Sequence, residues 1–429
     1  MLIIKNGRVV DPVSGRDETV DVAVDDGHIV SIGNDLSTEN DDEVIDASGC
    51  VVAPGLMDAH VHFRDPGFTY KEDIETGAAA AKRGGFTTVV CMANTKPVVD
   101  NADTLKYVLE KGLNTGIHVL SCATLTKNMQ GKEIVDMEGL KAAGALGFTD
   151  DGLPVMDSEL LFSAMVEAKR LGMPISLHEE DPLFVASPGV NQGKISEKLN
   201  YGGAHHAAED VMVTRDSALT MHTGARVCIQ HISSAVSVEM VKTFKELGAD
   251  IHAEATPHHF SLTEEDVLKY GTNARMNPPV RTEKDRQAVI EGIKCGAIDM
   301  IVTDHAPHSS EEKAKPMEEA PSGIIGLETS LGLGIKNLVD PGHISLMKLI
   351  ELMSCSPAEF YGLEPWSVAE GSVADIVIFD PDKTWKVGEF ASKASNSPFI
   401  GWELPGQVMY TICGGKIVYN SGAAAPNGA

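Results

Sequence analysis

Short apolar runs rich in β-branched residues recur along the middle of the chain, each bounded by Gly, Pro or Asp. They fall at residues 51–62, 87–92, 117–122, 145–149, 174–178, 226–231, 250–254 and 299–303. Runs of this length with such punctuation read as buried strands. The intervals between them carry the 3.6-residue period of amphipathic helices. Residues 100–112 set Leu105, Val108 and Leu109 on one face, continued by Leu113, and residues 157–171 do the same with Leu160, Leu161, Ala164, Ala168 and Leu171. Gly84, Gly112, Gly144, Gly172, Gly248 and Gly296 close helical segments, which is where a left-handed cap is expected. Strand and helix alternate eight times, the number that closes a (β/α)8 TIM-type barrel of the α/β class.

The chain is longer than a plain barrel requires, and the surplus sits at both ends. Residues 1–50 alternate in short strand-like runs, Leu2-Ile3-Ile4, 20–24 and 29–32, broken by Asn6-Gly7, Asp26-Gly27 and Asn34; residues 374–379 and 408–419 repeat the pattern. Two half-sized strand sets imply one smaller composite β-sandwich domain built from both chain ends. The expected division is 1–52 for its first half, 53–364 for the barrel and 365–429 for its second half. Within the barrel, residues 187–194 read as a surface loop inserted after the fifth strand, followed by a helix over 204–222. Residues 309–321, rich in Glu, Lys and Pro, read as a loop over the barrel rim that closes on a substrate.

Chemistry in such a barrel gathers at the carboxyl ends of the strands, and those ends are unusual here. The first run finishes in His60-Val61-His62, and residues i and i+2 of a strand point to one side, so the two imidazoles are placed to share a metal. The fourth ends in Asp150-Asp151, the fifth in His178, the sixth in His231 and the eighth in Asp304. Five of eight strands ending in ligand-type side chains is more than packing requires. Six donors exceed one tetrahedral ion but suit two ions sharing a carboxylate, about 3.5–4 Å apart. Nitrogen and oxygen donors without a thiolate point to zinc, with cobalt or manganese as substitutes. The pairs His205-His206 and His258-His259 are adjacent residues whose side chains diverge, so helix-surface and supporting roles are expected of them.

Several strings extend this pattern: His60-Val61-His62-Phe63-Arg64-Asp65-Pro66-Gly67, Met92-Ala93-Asn94-Thr95, Phe148-Thr149-Asp150-Asp151-Gly152, Met276-Asn277-Pro278-Pro279 and Thr303-Asp304-His305-Ala306-Pro307-His308. In this order they resemble the amidohydrolase superfamily and, within it, the bacterial type I dihydroorotases, over nearly the whole chain. The resemblance implies one metal held by His60, His62 and Asp304, a second held by His178 and His231, and Asp151 bridging both. Asp150 or Asp151 is left open by the residues themselves; the family pattern selects Asp151. Many relatives carry a carboxylated lysine at the end of the fourth strand, and residues 144–152 contain no lysine. That departure favours type I dihydroorotase over dihydropyrimidinase, hydantoinase or allantoinase.

The implied reaction is the reversible opening of L-dihydroorotate to N-carbamoyl-L-aspartate in pyrimidine biosynthesis, with Asp304 as the acid-base group. Arg64, two residues beyond His62, offers a planar fork suited to the substrate carboxylate. By resemblance Asn94 and His308 join it, while Asn277 and the backbone around Ser322 and Gly323 meet the ring. The competing readings are another cyclic amidase, or an inactive dihydroorotase-like scaffold supporting an aspartate carbamoyltransferase. By analogy the chain forms a homodimer, with the transferase as a candidate partner.

The formal net charge of −27 excludes general affinity for nucleic acid, whose phosphates it repels. Arg64 and the metals therefore have to attract an anionic substrate locally, which screening beyond about 8–10 Å permits. Seven cysteines without a Cys-x-x-Cys pair argue against a disulfide scaffold and for a reducing compartment, and Cys50, Cys91, Cys122 and Cys228, in or beside apolar strands, read as small core residues. No signal pattern and no membrane-length apolar run is present, so a cytoplasmic protein is expected.

Overall fold

The computed structural model describes residues 1–422, so residues 423–429 of the expected second half-domain lie outside the described residues. The chain opens with β1 (Leu2–Asp11), β2 (Arg16–Asp25), β3 (His28–Gly33), β4 (Glu43–Asp46) and β5 (Val51–Pro54). β1, β2 and β3 are an antiparallel meander, and β4 and β5 run parallel to β1 at successive positions along its other edge. The barrel strands follow: β6 (Leu56–Val61), β7 (Phe86–Cys91), β8 (His118–Ser121), β9 (Ile175–Leu177), β10 (Val227–Ile229), β11 (Ile251–Ala255) and β12 (Met300–Ile301). Last come β13 (Ile376–Asp380), a short antiparallel pair β14 (Trp385–Lys386) and β15 (Glu403–Leu404), then β16 (Gln407–Cys413) and β17 (Lys416–Asn420).

β13 lies antiparallel between β5 and β16, and β16 pairs with β17. Both chain ends therefore enter one sheet of order β17-β16-β13-β5-β1-β2-β3, with β4 on β1. It has its own apolar core of Ile4, Val9, Val22, Val24, Ile29, Val52, Ile376, Ile378 and Ile412. The run expected as one strand over 51–62 divides at Gly55, so that β5 belongs to this sheet and only β6 to the barrel. A Cβ at Gly55 would lie 2.2 Å from Thr87 Oγ1, so the crossing point admits only glycine.

The barrel closes through parallel pairings: β6-β7-β8, then β9-β10-β11-β12, then Val61 to His305. The expected fourth strand over 145–149 is reduced to Phe148, which bridges Ala123 on one side and Ile175 on the other. Its backbone is still satisfied: Phe148 N–H donates to Pro174 O, and Ser176 N–H to Phe148 O. Met57, Val90, Cys122, Cys228 and Met300 fill the interior, stacked toward Phe360 and Tyr361. The larger core lies between strands and helices.

Helix Ser158–Leu171 starts on an Asp157 cap and stops at Gly172 with φ +66°. Gly144, Gly248 and Gly296 also have positive φ, as expected of left-handed caps. Gly84 does not: its φ is −80° and the positive value falls on Gly85. Gly112 is the last residue of helix Ala102–Gly112, where an added Cβ would sit 2.6 Å from Val119 Cβ, so close helix-strand approach explains it better than a cap. Ending there, the helix leaves Leu113 82% exposed rather than on the apolar face. The insertion over 187–194 is not purely a surface loop either. Val190 and Asn191 are buried, and Asn191 donates to Glu264 at 2.6 Å and accepts from Arg281 at 3.1 Å. The helix after it runs Ala207–Thr223. Among the described residues no helix is long and apolar enough to cross a membrane.

Candidate metal centre

At the carboxyl rim, β6 shifts register against β7 between Asp58 and Val61, a bulge of the kind that re-aims side chains at barrel rims. Asp58 anchors the turn, its carboxylate accepting the backbone N–H groups of His60 and Thr303 and so joining the first strand to the eighth. Val61 is fully buried in the strand-helix core, leaving His60 and His62 to the rim. Arg64, His231 and Asp304 all take positive φ, at +60°, +33° and +47°. Such backbone costs about 1–3 kcal/mol per non-glycine residue and clusters at functional sites.

The structure brings His60, His62, Asp151, His178 and His231 together as two groups of three donors, His60-His62-Asp151 and Asp151-His178-His231, that share one carboxylate, and sets Asp304 against the first of them. His60 Nε2 lies 3.5 Å from Asp151 Oδ1 and 3.6 Å from Asp304 Oδ1. His62 Nε2 is 2.9 Å from Asp304 Oδ1 and 3.5 Å from Asp151 Oδ2. His178 Nδ1 and His231 Nε2 stand 3.0 Å apart, each 3.8 Å from Asp151 Oδ1. Asp150 turns away, accepting the N–H groups of Leu125 and Thr126 and the Thr126 hydroxyl, which pins the loop after β8.

His60 Nε2 is buried without a hydrogen-bond partner. An orphaned imidazole nitrogen amid carboxylates and other imidazoles fits a divalent cation, and the all nitrogen-oxygen donor set suits zinc-like ions. The tautomers agree. His62 Nδ1–H donates to Asn94 Oδ1 at 2.9 Å and His60 Nδ1–H to Glu254 Oε1 at 2.6 Å, so both present a bare Nε2 to the cluster. Burial favours the neutral acid at Asp151 and Asp304. With the rings protonated, the nearby His60 and His231 outweigh it at Asp151, and the Nε2–H of His62 with the nearby His60 outweighs it at Asp304, holding both carboxyls well below the usual range; a bound cation would take the place of those Nε2 protons.

Asn94 was expected at the substrate, yet its amide is spent elsewhere: Oδ1 on His62 and Nδ2 on Asp151 Oδ2 at 2.8 Å. His308 is likewise engaged at both nitrogens, Nδ1 accepting from Lys71 Nζ at 3.2 Å and Nε2–H donating to Ser322 O at 2.8 Å. Burial, with the charges of Arg64 and Lys71, keeps that imidazole neutral. Glu254, at the end of the seventh strand run, was not singled out from the sequence; a carboxylate embedded between Ala253 and Ala255 at a strand end was the available signal. His206 pairs with Asp285, and His259 spans Thr256 and Pro278 O, both clear of the donor cluster.

A cavity of about 210 Å³ opens over the cluster, walled by His62, Asp151, His178, His231 and Asp304 at its floor and by Arg64, Asn94, Asn277, His308, Ser322 and Gly323 above. Arg64 Nε makes a long contact to Pro307 O at 3.4 Å, and among the described residues its two terminal nitrogens have no hydrogen-bond partner. Asn277 Oδ1 accepts from Ser322 Oγ at 3.2 Å. At Gly323, with φ +119°, a Cβ would meet Ala306 Cβ at 2.7 Å, so the wall there is backbone. The segment 309–321 is packed on this rim. Ser309 caps the helical turn Ser310–Lys313, Glu312 reaches Lys71 and Tyr70 at 3.0 Å each, and buried Lys313 donates to Pro321 O and Gly323 O at 3.0 Å each.

The family model described as Amidohydrolase family matches residues 51–418. A dihydroorotase of Clostridioides difficile strain 630 is 60% identical over 421 residues, 98% of this chain and 100% of that protein. One of Clostridium acetobutylicum is 55% identical, covering 98% of this chain and 99% of that protein. Among solved structures, the L-hydantoinase (dihydropyrimidinase) of Arthrobacter aurescens superposes with TM-score 0.86 at 27% identity, covering 99% of this chain and 97% of that one.

Proposed function

The chain belongs to the amidohydrolase family and, within it, to the dihydroorotases, and from that premise we propose that it interconverts L-dihydroorotate and N-carbamoyl-L-aspartate at a centre of two zinc ions. One observation carries the reading: a single small cavity has two donor triads sharing Asp151 at its floor and an unpaired guanidinium, Arg64, in its wall. His60, His62 and Asp304 would hold one ion, His178 and His231 the other, with Asp151 between them. When bound, the ions supply a nucleophilic oxygen near neutral pH, by lowering a water's pKa to roughly 7, and Lewis acidity at the carbonyl.

The remaining work falls to this chain's own groups. Arg64 pairs with the substrate carboxylate and sets the ring amide over Asp304. Asp304, ionised and 2.9 Å from His62 Nε2, accepts the proton of the attacking water. The carbon-nitrogen bond of the ring amide breaks as that proton passes to the departing nitrogen. In the reverse direction Asp304 takes a proton from the ureido nitrogen, that nitrogen bonds to the side-chain carboxyl carbon, and a carbon-oxygen bond there breaks, the oxygen leaving as water with the proton from Asp304 and one from solvent. Asn277, Ser322 and the Gly323 backbone line the ring, and Asn94 and His308 act mainly by holding His62, Asp151 and Ser322.

A hydantoinase-type activity is favoured only by structural likeness at 27% identity, and it leaves Arg64 without a partner. An inert scaffold is disfavoured by the complete donor set. The test is a substrate panel with dihydroorotate, dihydrouracil, hydantoin and allantoin. Preference for dihydroorotate is expected; preference for an uncharged ring would overturn the reading.

A further inference from the structure

We infer that Glu254 is a positioning residue that ties the two halves of the metal centre together; the inference rests on the two-ion reading above. Glu254 lies in β11 with its side chain buried among Cys228, His60 and the start of the His231 turn. One oxygen, Oε1, serves two donors: the His60 ring at 2.6 Å and the backbone N–H of His231 at 3.2 Å. The carbonyl of the same residue accepts the N–H of Ile232 at 2.9 Å. Glu254 thus grips the His231 turn through both side chain and main chain while orienting His60 through its ring.

His60 and His231 belong to different donor triads and their rings lie 5.3 Å apart. Each needs help that a carboxylate gives. His60 must keep its proton on Nδ1 so that Nε2 is bare, and a charged acceptor both fixes that tautomer and makes the ring a stronger ligand. His231 sits at φ +33°, a conformation that persists in a non-glycine residue only where neighbours hold it. Because a single oxygen meets both demands, disturbing it disturbs both ion sites. No other residue described here contacts one ligand's ring and another's backbone through the same atom.

The test is metal affinity of the whole chain, stripped and titrated with zinc against a competing chelator, with folding followed by circular dichroism. In Glu254→Gln the amide oxygen still accepts both hydrogen bonds but the charge is gone, so the site holding His60 is expected to weaken about 10-fold. In Glu254→Ala both bonds are lost, and both sites are expected to weaken by about 10- to 100-fold, the range for partners that orient metal ligands. Wild-type affinity at both sites in Glu254→Gln would overturn the inference, whether or not Glu254→Ala folds. So would a folded Glu254→Ala with only one site weakened, since the coupling would then be absent. The readout needs no substrate, so an error in the substrate assignment does not affect it, and a wild-type chain that binds fewer than two ions would instead refute the metal reading itself.

Discussion

Replacing Arg64 by Met tests the substrate assignment through one side chain. Met keeps the length and the apolar stem, and Arg64 already occupies φ +60°, so exchanging one L residue for another adds little backbone strain. The guanidinium contributes almost nothing to the fold by hydrogen bonding: its one described bond is the 3.4 Å contact to Pro307 O. Its value lies in the cavity. A carboxylate about 4 Å from it at an effective dielectric of about 20 gains roughly 4 kcal/mol, and truncating one side of such a desolvated pair costs about 2–5 kcal/mol. At about 1.4 kcal/mol per decade, kcat/KM for dihydroorotate should fall roughly 30-fold to several-thousand-fold. An uncharged ring such as dihydrouracil has no carboxylate to lose, so its slow hydrolysis should change little, and metal content should stay at the wild-type level. Equal kcat/KM for dihydroorotate in wild type and variant would make Arg64 a structural residue and remove the physical case for an anionic substrate.

Asp304→Asn should fold and abolish turnover, because the proton acceptor is lost and one metal is weakened; near wild-type kcat would exclude Asp304 as the base. His178→Ala should lower metal content toward one ion per chain by elemental analysis, since it removes one of the two imidazoles proposed for the second ion, and two tightly held ions would show the ligand set to be wrong. Burial, with Arg275 nearby, depresses the Lys313 ammonium to about 7. An unfolded lysine titrates near 10.4, so between those values the unfolded chain binds more protons and stability rises with pH. Lys313→Met should lose that rise, a difference of order 1–4 kcal/mol between about pH 7 and pH 10 by urea unfolding; parallel pH profiles would contradict the assignment.

The barrel and the donor set were legible because both depend on local pattern. Strand ends follow from apolar runs, and a His-x-His pair on a strand has a fixed geometry whatever surrounds it. Position 150 against 151 was not legible, because adjacent carboxylates differ only in where the chain turns, and that is decided by Leu125 and Thr126 reaching Asp150 from a distant loop. The division of the first strand at Gly55 depends on Thr87 lying against it. Asn94 and His308 were placed near the cavity correctly, yet their hydrogen-bonding capacity is consumed by His62, Asp151, Lys71 and Ser322. Such competition for polar atoms exists only once the chain is folded. Glu254 was missed for the converse reason: it holds the His60 ring without belonging to the donor cluster, and strand periodicity does not distinguish it from other buried positions.

The central claim is tested most directly by titrating zinc into metal-free protein while measuring bound metal and dihydroorotate hydrolysis in the same samples. Activity is expected to be negligible without metal and to reach its plateau as the second ion per chain binds. Full activity at one ion or none, or two bound ions with no turnover of dihydroorotate, would contradict it.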